Sequence, residues 1–406
     1  MLEGRRWDHG IRAPQGTRNP ATTARPTYDQ TTLMPRPPAL KLLSSLALLV
    51  AGVAGIACGG PGGEPVRLGM AGPLAEGFGL ATKRGVELAV AEINAAGGIG
   101  GDSVAIEFRD DGGEGAKAAK IAQEFVDDPR VLAVVGHVTS GAMLAAAKVY
   151  DGHLAAVATT ASSAALTGIS PWAFRVISSD SANGVDLARF AQRIGKKRAA
   201  VLYENDAYGR GLADAFRRNF AGEVISIDPI GFEGKRAPIY VAWLAERRPD
   251  LVFIAGTERT GLAFIAAGRA AGLSADFLGG DGWTGIVADP AVAEGALVGA
   301  PFTPDDPAPA AQTFVKAFRA RFGGEDPDGN AALAYDAVRL LVAAIRDVGR
   351  DREAIRDWLA DRRTAGAFTG VTGSIAFDEL GDPVGKAFIM TRVSGGRMVP
   401  AEKGAR

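Results

Sequence analysis

From Pro65 onward, short apolar runs alternate with segments of helical period, each pair separated by Gly, Asp or Pro. This is the pattern of strands and helices laid down in turn along a mostly parallel sheet. Val66 to Met70 predicts a strand. Val86, Ala89, Val90 and Ile93 then fall at helical spacing, with Gly97 and Gly98 placed to end the helix. Val104 to Phe108 predicts the next strand, and Ala118, Ile121, Ala122 and Phe125 stripe the next helix. Val131 to Val138 is an apolar run suited to a strand covered on both faces, and Leu154 to Thr159 repeats the pattern. A second series begins after Ser178, with a helix striped by Leu187, Phe190, Ala191 and Ile194. Strands at Ala199 to Tyr203, Val224 to Ile227, Leu251 to Ala255, Phe277 to Gly279 and Leu297 to Ala300 follow, with helices between. The pattern predicts two α/β domains of ordinary size. The long helix predicted over 331–348, apolar at Leu333, Val338, Leu341, Val342 and Ile345, needs a sheet face to cover. Its position does not say which domain supplies that face.

The beginning of the chain obeys a different rule. Residues 40–57 form an apolar run with Arg36 and Lys41 at its start and small residues before Cys58, the form of an export signal. The run sits near the lower limit of roughly 18 residues for a membrane span and is rich in Ala, Gly and Ser. It resembles bacterial lipoprotein signals, in which the cysteine after the small residues receives lipid and becomes the mature N-terminus. Cys58 is the lipidation residue on that resemblance, although Gly55 stands where Leu or Val is usual. The division expected is an extension at 1–33 without apolar periodicity, a signal peptide at 34–57 beginning at Met34, and a glycine-rich tether at 58–64. The mature protein is expected at the periplasm or cell surface, anchored to a membrane through Cys58.

Composition removes several classes. With 47% hydrophobic and 22% charged residues and a formal net charge of −1, the chain gives no electrostatic reason to bind nucleic acid. One cysteine permits no intramolecular disulfide. The turn chemistry of dinucleotide, P-loop and α/β-hydrolase sites is missing. Of three histidines, His9 lies in the extension, His137 ends an apolar strand and His153 sits in a turn, which points to structural roles and no metal site. Asp110 and Asp111, beside Gly112 and Gly113, read as a solvated turn. No base, nucleophile and orienting group converge, so no enzyme and no cofactor are expected.

Three segments together resemble the branched-chain amino-acid-binding family of ABC-transporter solute receptors: GPLAEGFGLATKRGVELAVAEINAAGGIGGD at 72–102, VVGHVTSGA at 134–142 and YENDAYGRGLADAF at 203–216. GGDGW at 279–283 and FDELGD at 377–382 extend the match over residues 66–393. The resemblance implies a type I periplasmic binding fold, two Rossmann-like lobes with mostly parallel sheets joined by three hinge strands near 180, 301 and 377. Lobe 1 is then 65–180 plus 301–376, with the helices of 308–360, and lobe 2 is 181–300 plus 377–400.

Ligands of open α/β sheets bind beyond the carboxyl ends of the strands, where helix N-termini offer unpaired N–H groups. Ser140, Ser162 and Ser163 follow two such strand ends. They are equally suited to be plain helix caps. The resemblance gives Ser140, Ser163 and backbone groups near Ala161 to the carboxylate and ammonium of the ligand, Asp281 to its ammonium, and Tyr208 to a contact from the second lobe. Asp281 in a glycine-rich turn and Tyr208 at the start of its helix also have ordinary structural readings. Trp283 reads either as a lid or as local core. Phe78 falls beside the position of an aromatic wall. Thr257 stands where branched-chain binders carry a contacting tyrosine, so a Leu, Ile or Val ligand does not follow. The expected protein is a monomeric solute receptor that closes on an amino acid or similar small zwitterion and delivers it to an ABC permease. A sensor feeding a signalling partner, or a receptor for an amide or short carboxylate, are the alternatives.

Overall fold

The computed structural model of the protein describes residues 63–401. The extension, the signal peptide, Cys58 and the first residues of the tether lie outside them. Strand β1 (Val66–Gly72), α1 (Gly77–Ala95), β2 (Val104–Asp110), α2 (Gly115–Asp127), β3 (Val131–Gly136), α3 (Ser140–Tyr150), β4 (Ala156–Ala158) and β5 (Ala173–Arg175) build the first lobe. Its five strands are all parallel, in the order β2-β1-β3-β4-β5. The second lobe follows with α4 (Asp180–Arg193), β6 (Arg198–Glu204), α5 (Ala207–Asn219), β7 (Glu223–Ile230) and α6 (Ala237–Arg247). It continues through β8 (Leu251–Ala255), α7 (Glu258–Ala270), β9 (Asp276–Gly279), α8 (Pro290–Ala293) and β10 (Leu297–Ala300).

The chain then returns to the first lobe. Helices α9 (Pro309–Arg321), α10 (Gly329–Val348), α11 (Arg352–Ala360) and α12 (Arg362–Ala365) precede a small antiparallel hairpin of β11 (Phe368–Gly370) and β12 (Gly373–Ile375). Buried residues of α9, α10 and α11 share one core with β1 and α1, which answers which sheet the long helix covers. Gly85 sits where α1 meets α10, and a Cβ there would lie 2.1 Å from the Ala331 carbonyl oxygen, so this crossing admits only glycine. Last come β13 (Ile389–Ser394) and β14 (Arg397–Pro400), which complete a seven-stranded sheet, β14-β13-β10-β9-β8-β6-β7. Only its last two additions are antiparallel. Helices cover both faces of each sheet.

The helical stripes are the ones the periodicity predicts: Ala118, Ile121, Ala122 and Phe125 on α2, and Leu187, Phe190 and Ala191 on α4, are buried. The third crossing between lobes lies later than 377. Residues 378–382 still pack on the first sheet, where Gly168 N–H donates to Leu380 O at 3.0 Å and Arg175 N–H to Gly381 O at 3.2 Å. The second sheet is joined only at Ile389. Lys386, inside this crossing, donates to Thr372 O at 2.8 Å and Thr372 Oγ1 at 2.5 Å.

Thr372 is in turn held by Asp336, a fully buried carboxylate in the middle of α10. Asp336 accepts from Val371 N–H at 2.7 Å, Thr372 N–H at 2.9 Å and Thr372 Oγ1 at 2.5 Å. Replacing it leaves three donors without their acceptor in a closed interior, each worth roughly a kcal/mol or more. Asp336→Ala is expected to lose about 2–4 kcal/mol of stability in urea unfolding; a loss under about 1 kcal/mol would show that the hairpin does not depend on this carboxylate.

Candidate functional site

In both sheets the strand order reverses beside the first strand of the lobe, at β1/β3 and at β6/β8. Such reversals leave a crevice outside the carboxyl strand ends. The two crevices face each other across one cleft. The first lobe lines it with Phe78, Val138, Thr139, Ser140, Thr160 and Asn330, and the second with Asp206, Tyr208, Thr257, Asp281 and Gly282. The space open to the centres of water-sized spheres is about 80 Å3. A single water needs roughly 10–15 Å3 on that measure, so a solute of several non-hydrogen atoms fits.

The wall on the first lobe is built by the turn from β3 into α3. Gly136 has φ +115°, and a Cβ there would lie 2.5 Å from Ala71 O. Only glycine lets β3 end this close to β1. His137 follows, fully buried, its Nδ1 2.6 Å from Asp111 Oδ2 and its Nε2 2.9 Å from Tyr150 Oη. The solvated turn expected of Asp110 and Asp111 is therefore half wrong. Asp110 is exposed, while Asp111 is fully buried, accepting from Gly113 N–H at 2.7 Å and meeting the histidine. Sequence shows an acid pair between a strand and two glycines; it does not show which side chain turns inward.

At α3, Thr139 is the cap residue, yet its hydroxyl makes no capping bond and is buried without a partner. The first N–H groups of the helix point to the cleft end of α3 without intrahelical acceptors. Ser140 is no cap. Its Oγ accepts from Ser163 N–H at 3.1 Å, which leaves its own proton available. Ser163 does cap a short turn, accepting from Ala165 N–H at 3.4 Å, and its Oγ donates across the cleft to Ala207 O at 3.1 Å. Ala161, Ser162 and Ser163 are buried behind the cleft surface and are not among the residues lining it.

Behind them stands Arg175, 2% exposed. Its Nη1 donates to Ser162 O at 2.9 Å and Ser163 O at 2.8 Å, its Nη2 to Thr167 Oγ1 at 2.7 Å, and its Nε to Asp382 Oδ1 at 2.7 Å. No periodicity marks the three-residue strand that carries it.

The opposite wall is acidic. Tyr208 Oη donates to Asp281 Oδ1 at 3.1 Å and accepts from Gly282 N–H at 3.0 Å. Burial pushes the Asp281 carboxyl up to about 7, against the pull of the tyrosine hydroxyl. Asp180, at the first turn of α4, is fully buried with neither oxygen hydrogen-bonded. Burial first, and the charge of Asp281 second, push it well above the usual carboxylate range. Ser162 Oγ lies near enough to lower both groups, although neither that hydroxyl nor the Asp180 oxygens have a hydrogen-bond partner. Sequence reading did not single out Asp180; an acid opening a helix looks like ordinary dipole compensation. Thr257 lines the cleft and gives its hydroxyl to Glu204 at 2.8 Å. Phe78 lines it too, at the start of α1. Trp283 is no lid: it is fully buried against Gly261 and Gly279, where a Cβ would approach its ring to 2.4 and 2.0 Å.

Contacts that bridge the lobes around this space include Ser163 Oγ to Ala207 O, Asn330 Nδ2 to Thr284 Oγ1 at 2.9 Å, and Arg259 to Glu76 at 3.2 Å. Among the described residues no group of three or more His, Cys, Asp or Glu is placed to hold a metal, and no helix is long and apolar enough to cross a membrane. A cleft with donors on one lobe and acceptors on the other, shut by contacts between them, is that of a receptor that folds around a small solute.

The chain belongs to the periplasmic binding protein family, whose profile matches residues 65–397. It is similar to an amino acid binding protein of Pseudomonas aeruginosa, 30% identical over 362 residues, covering 83% of this chain and 92% of the relative. It is also similar to Leu/Ile/Val-binding protein homolog 2 of Brucella abortus, 29% identical over 82% of this chain and 92% of the relative. A crystal structure of an ABC transporter substrate-binding protein from Desulfitobacterium hafniense in complex with Leu superposes with a TM-score of 0.72 at 32% identity, covering 83% of this chain and 99% of that one. The fold is that of type I periplasmic binding proteins, and the protein is an extracytoplasmic solute receptor, not an enzyme.

The buried acids make stability depend on pH. Folded Asp281 takes up its proton at about 7, against an ordinary value of 3.8. Between those values the folded state holds a proton the unfolded chain has lost, so stability falls as pH rises from about 4 to 7, by at most about 1.4 kcal/mol per unit for this group. Asp180 acts in the same direction. In urea titrations of the ligand-free protein at pH 5, 6 and 7, Asp281→Asn is expected to make the decline shallower; a slope equal to that of the unaltered protein would remove the carboxyl from this account.

Proposed function

We propose that the protein captures an α-amino acid in this cleft and, closed around it, presents it to an ABC permease. The observation that carries the proposal is the opposition of signs across the cleft. Unpaired N–H groups at the start of α3, with the hydroxyls of Thr139 and Ser140, face the buried Asp281, an arrangement complementary to the carboxylate and ammonium of a zwitterion. In this reading Ser140, backed by Ser163 and the segment around Ala161 and Ser162, holds the carboxylate. Asp281, oriented by Tyr208, holds the ammonium, while Phe78 and Thr257 border the side chain. The names of the relatives, which are amino-acid binders, support the same class.

Closure follows from differential affinity. The ligand touches both walls only when the lobes are together, so binding shifts the hinge towards the closed state. The receptor acts as a monomer tethered to a membrane by lipid on Cys58, at the end of the export signal. Cys58→Ser is expected to move the protein from the membrane fraction to the soluble one; unchanged membrane association would refute the anchor.

Two measurements test the ammonium contact. Asp281→Ala should weaken an amino acid by roughly 10- to 100-fold, the worth of a charge-assisted hydrogen bond, and its deaminated analogue far less. Equal losses would exclude the contact. Because the ammonium needs the carboxylate form, affinity should strengthen as pH rises to about 7 and then level off. Calorimetry in buffers of different ionisation enthalpy should register proton release below that pH; proton uptake would contradict the assignment.

A further inference from the structure

The cleft does not end at the zwitterion site. Beside Phe78 and Thr257 it opens into an annex of about 370 Å3, against about 80 Å3 for the cleft itself, which shares Phe78, Thr139, Asp206 and Thr257 with the first pocket. A side chain leaving the zwitterion site in that direction enters the annex. Its charge is one-sided. Glu76, Glu204, Asp206 and Glu258 line it, with Arg259 as the basic residue among them.

Most of these groups have other employment. Arg259 pairs with Glu76 at 3.2 Å, and Asp206 caps α5 by accepting from Gly209 N–H at 2.7 Å. Glu258 lies near Asp328 and Gly285 and is pushed up to about 7, chiefly by burial. Glu204 differs. It is fully buried at the end of β6, and its Oε1 accepts from both Thr257 and Thr260, at 2.8 and 2.5 Å. Its Oε2 meets no donor in hydrogen-bonding geometry, although the Thr257 N–H lies near enough to the carboxylate to favour its charged form. Positioning two threonines requires one oxygen. A second, left unpaired in a closed interior, is costly unless a ligand supplies the donor.

We infer that the receptor selects an α-amino acid whose side chain ends in a cationic nitrogen, an ammonium or guanidinium, which Glu204 receives in the annex. This rests on the amino-acid reading of the cleft. An aliphatic side chain of equal length would fill the same space and leave the acid unanswered, so discrimination comes from the missing partner and not from shape. Thr257 fits this role: it is small enough to leave the passage open, and its hydroxyl fixes the carboxyl that the passage leads to.

The test is titration calorimetry of the full-length protein with lysine, arginine and norleucine, the last being lysine with its terminal ammonium replaced by hydrogen. Lysine or arginine is expected to bind at least roughly tenfold tighter than norleucine, a comparison that needs no variant. Glu204→Gln, which retains an acceptor for the two threonines, should abolish that preference. Norleucine binding as tightly as lysine, or a preference that survives Glu204→Gln, would overturn the inference. If norleucine binds in an Asp281-dependent manner without any preference for lysine, only the annex assignment falls; if no amino acid binds, the amino-acid reading falls with it.

Discussion

One buried guanidinium holds the receptor's geometry together. Arg175 joins the carbonyls of Ser162 and Ser163 to Thr167 and to Asp382 in the third lobe-crossing region. An arginine is suited to this because its donors fan out in a rigid plane and stay charged in a dry interior. Two of its partners, the carbonyls of Ser162 and Ser163, lead to the cleft. Ser163, fixed by its carbonyl, presents its N–H to Ser140 and its hydroxyl to Ala207 of the other lobe. The serine wall and one of the closing contacts therefore depend on a residue that meets no ligand.

Against that rigid frame, the carboxyls of the second lobe are left dissatisfied. Asp180, Asp281 and Glu204 are all buried and all pushed upward, with burial the largest cause in each case. Two of them have oxygens without hydrogen-bond partners. A core selected for stability alone would replace such groups with apolar ones, since breaking even with buried charge requires complete pairing. Their presence is intelligible if the missing partners arrive with the solute.

How much of this can be read from the amino acids alone differs by level. The βαβ rhythm locates the strands of both sheets closely: Leu251 to Ala255 and Leu297 to Ala300 appear with the same ends in the structure. Strand β5 goes unread because three residues carry no period. The hairpin of β13 and β14 goes unread too, although Ser394-Gly395-Gly396-Arg397 between two apolar runs is a recognisable turn signal. Crossing points are less legible still, since Phe377 to Asp382 looks like the start of a new strand but is spent on contacts with β5. Site residues are legible by place and not by partner. Tyr208, Thr257 and Asp281 do line the cleft, whereas Asp111, Asp180 and Glu204 owe their importance to the direction of a side chain and the dryness around it. Neither property is local in sequence.

That distinction bears on Thr257 most directly. Judged by position, it is a loss: the sequence resemblance implies an aromatic there, and a small residue is a weaker wall for an aliphatic side chain. Judged by partner, it is an exchange. The hydroxyl engages Glu204, and with Thr260 it holds one carboxylate oxygen while the other stays uncommitted. An aromatic ring at the same place would lack the Oγ1 that donates to Glu204 at 2.8 Å, a loss made costly by the burial of that acid. The small residue and the buried acid therefore belong together. Either alone would be a defect in an apolar specificity pocket, and jointly they define a polar one.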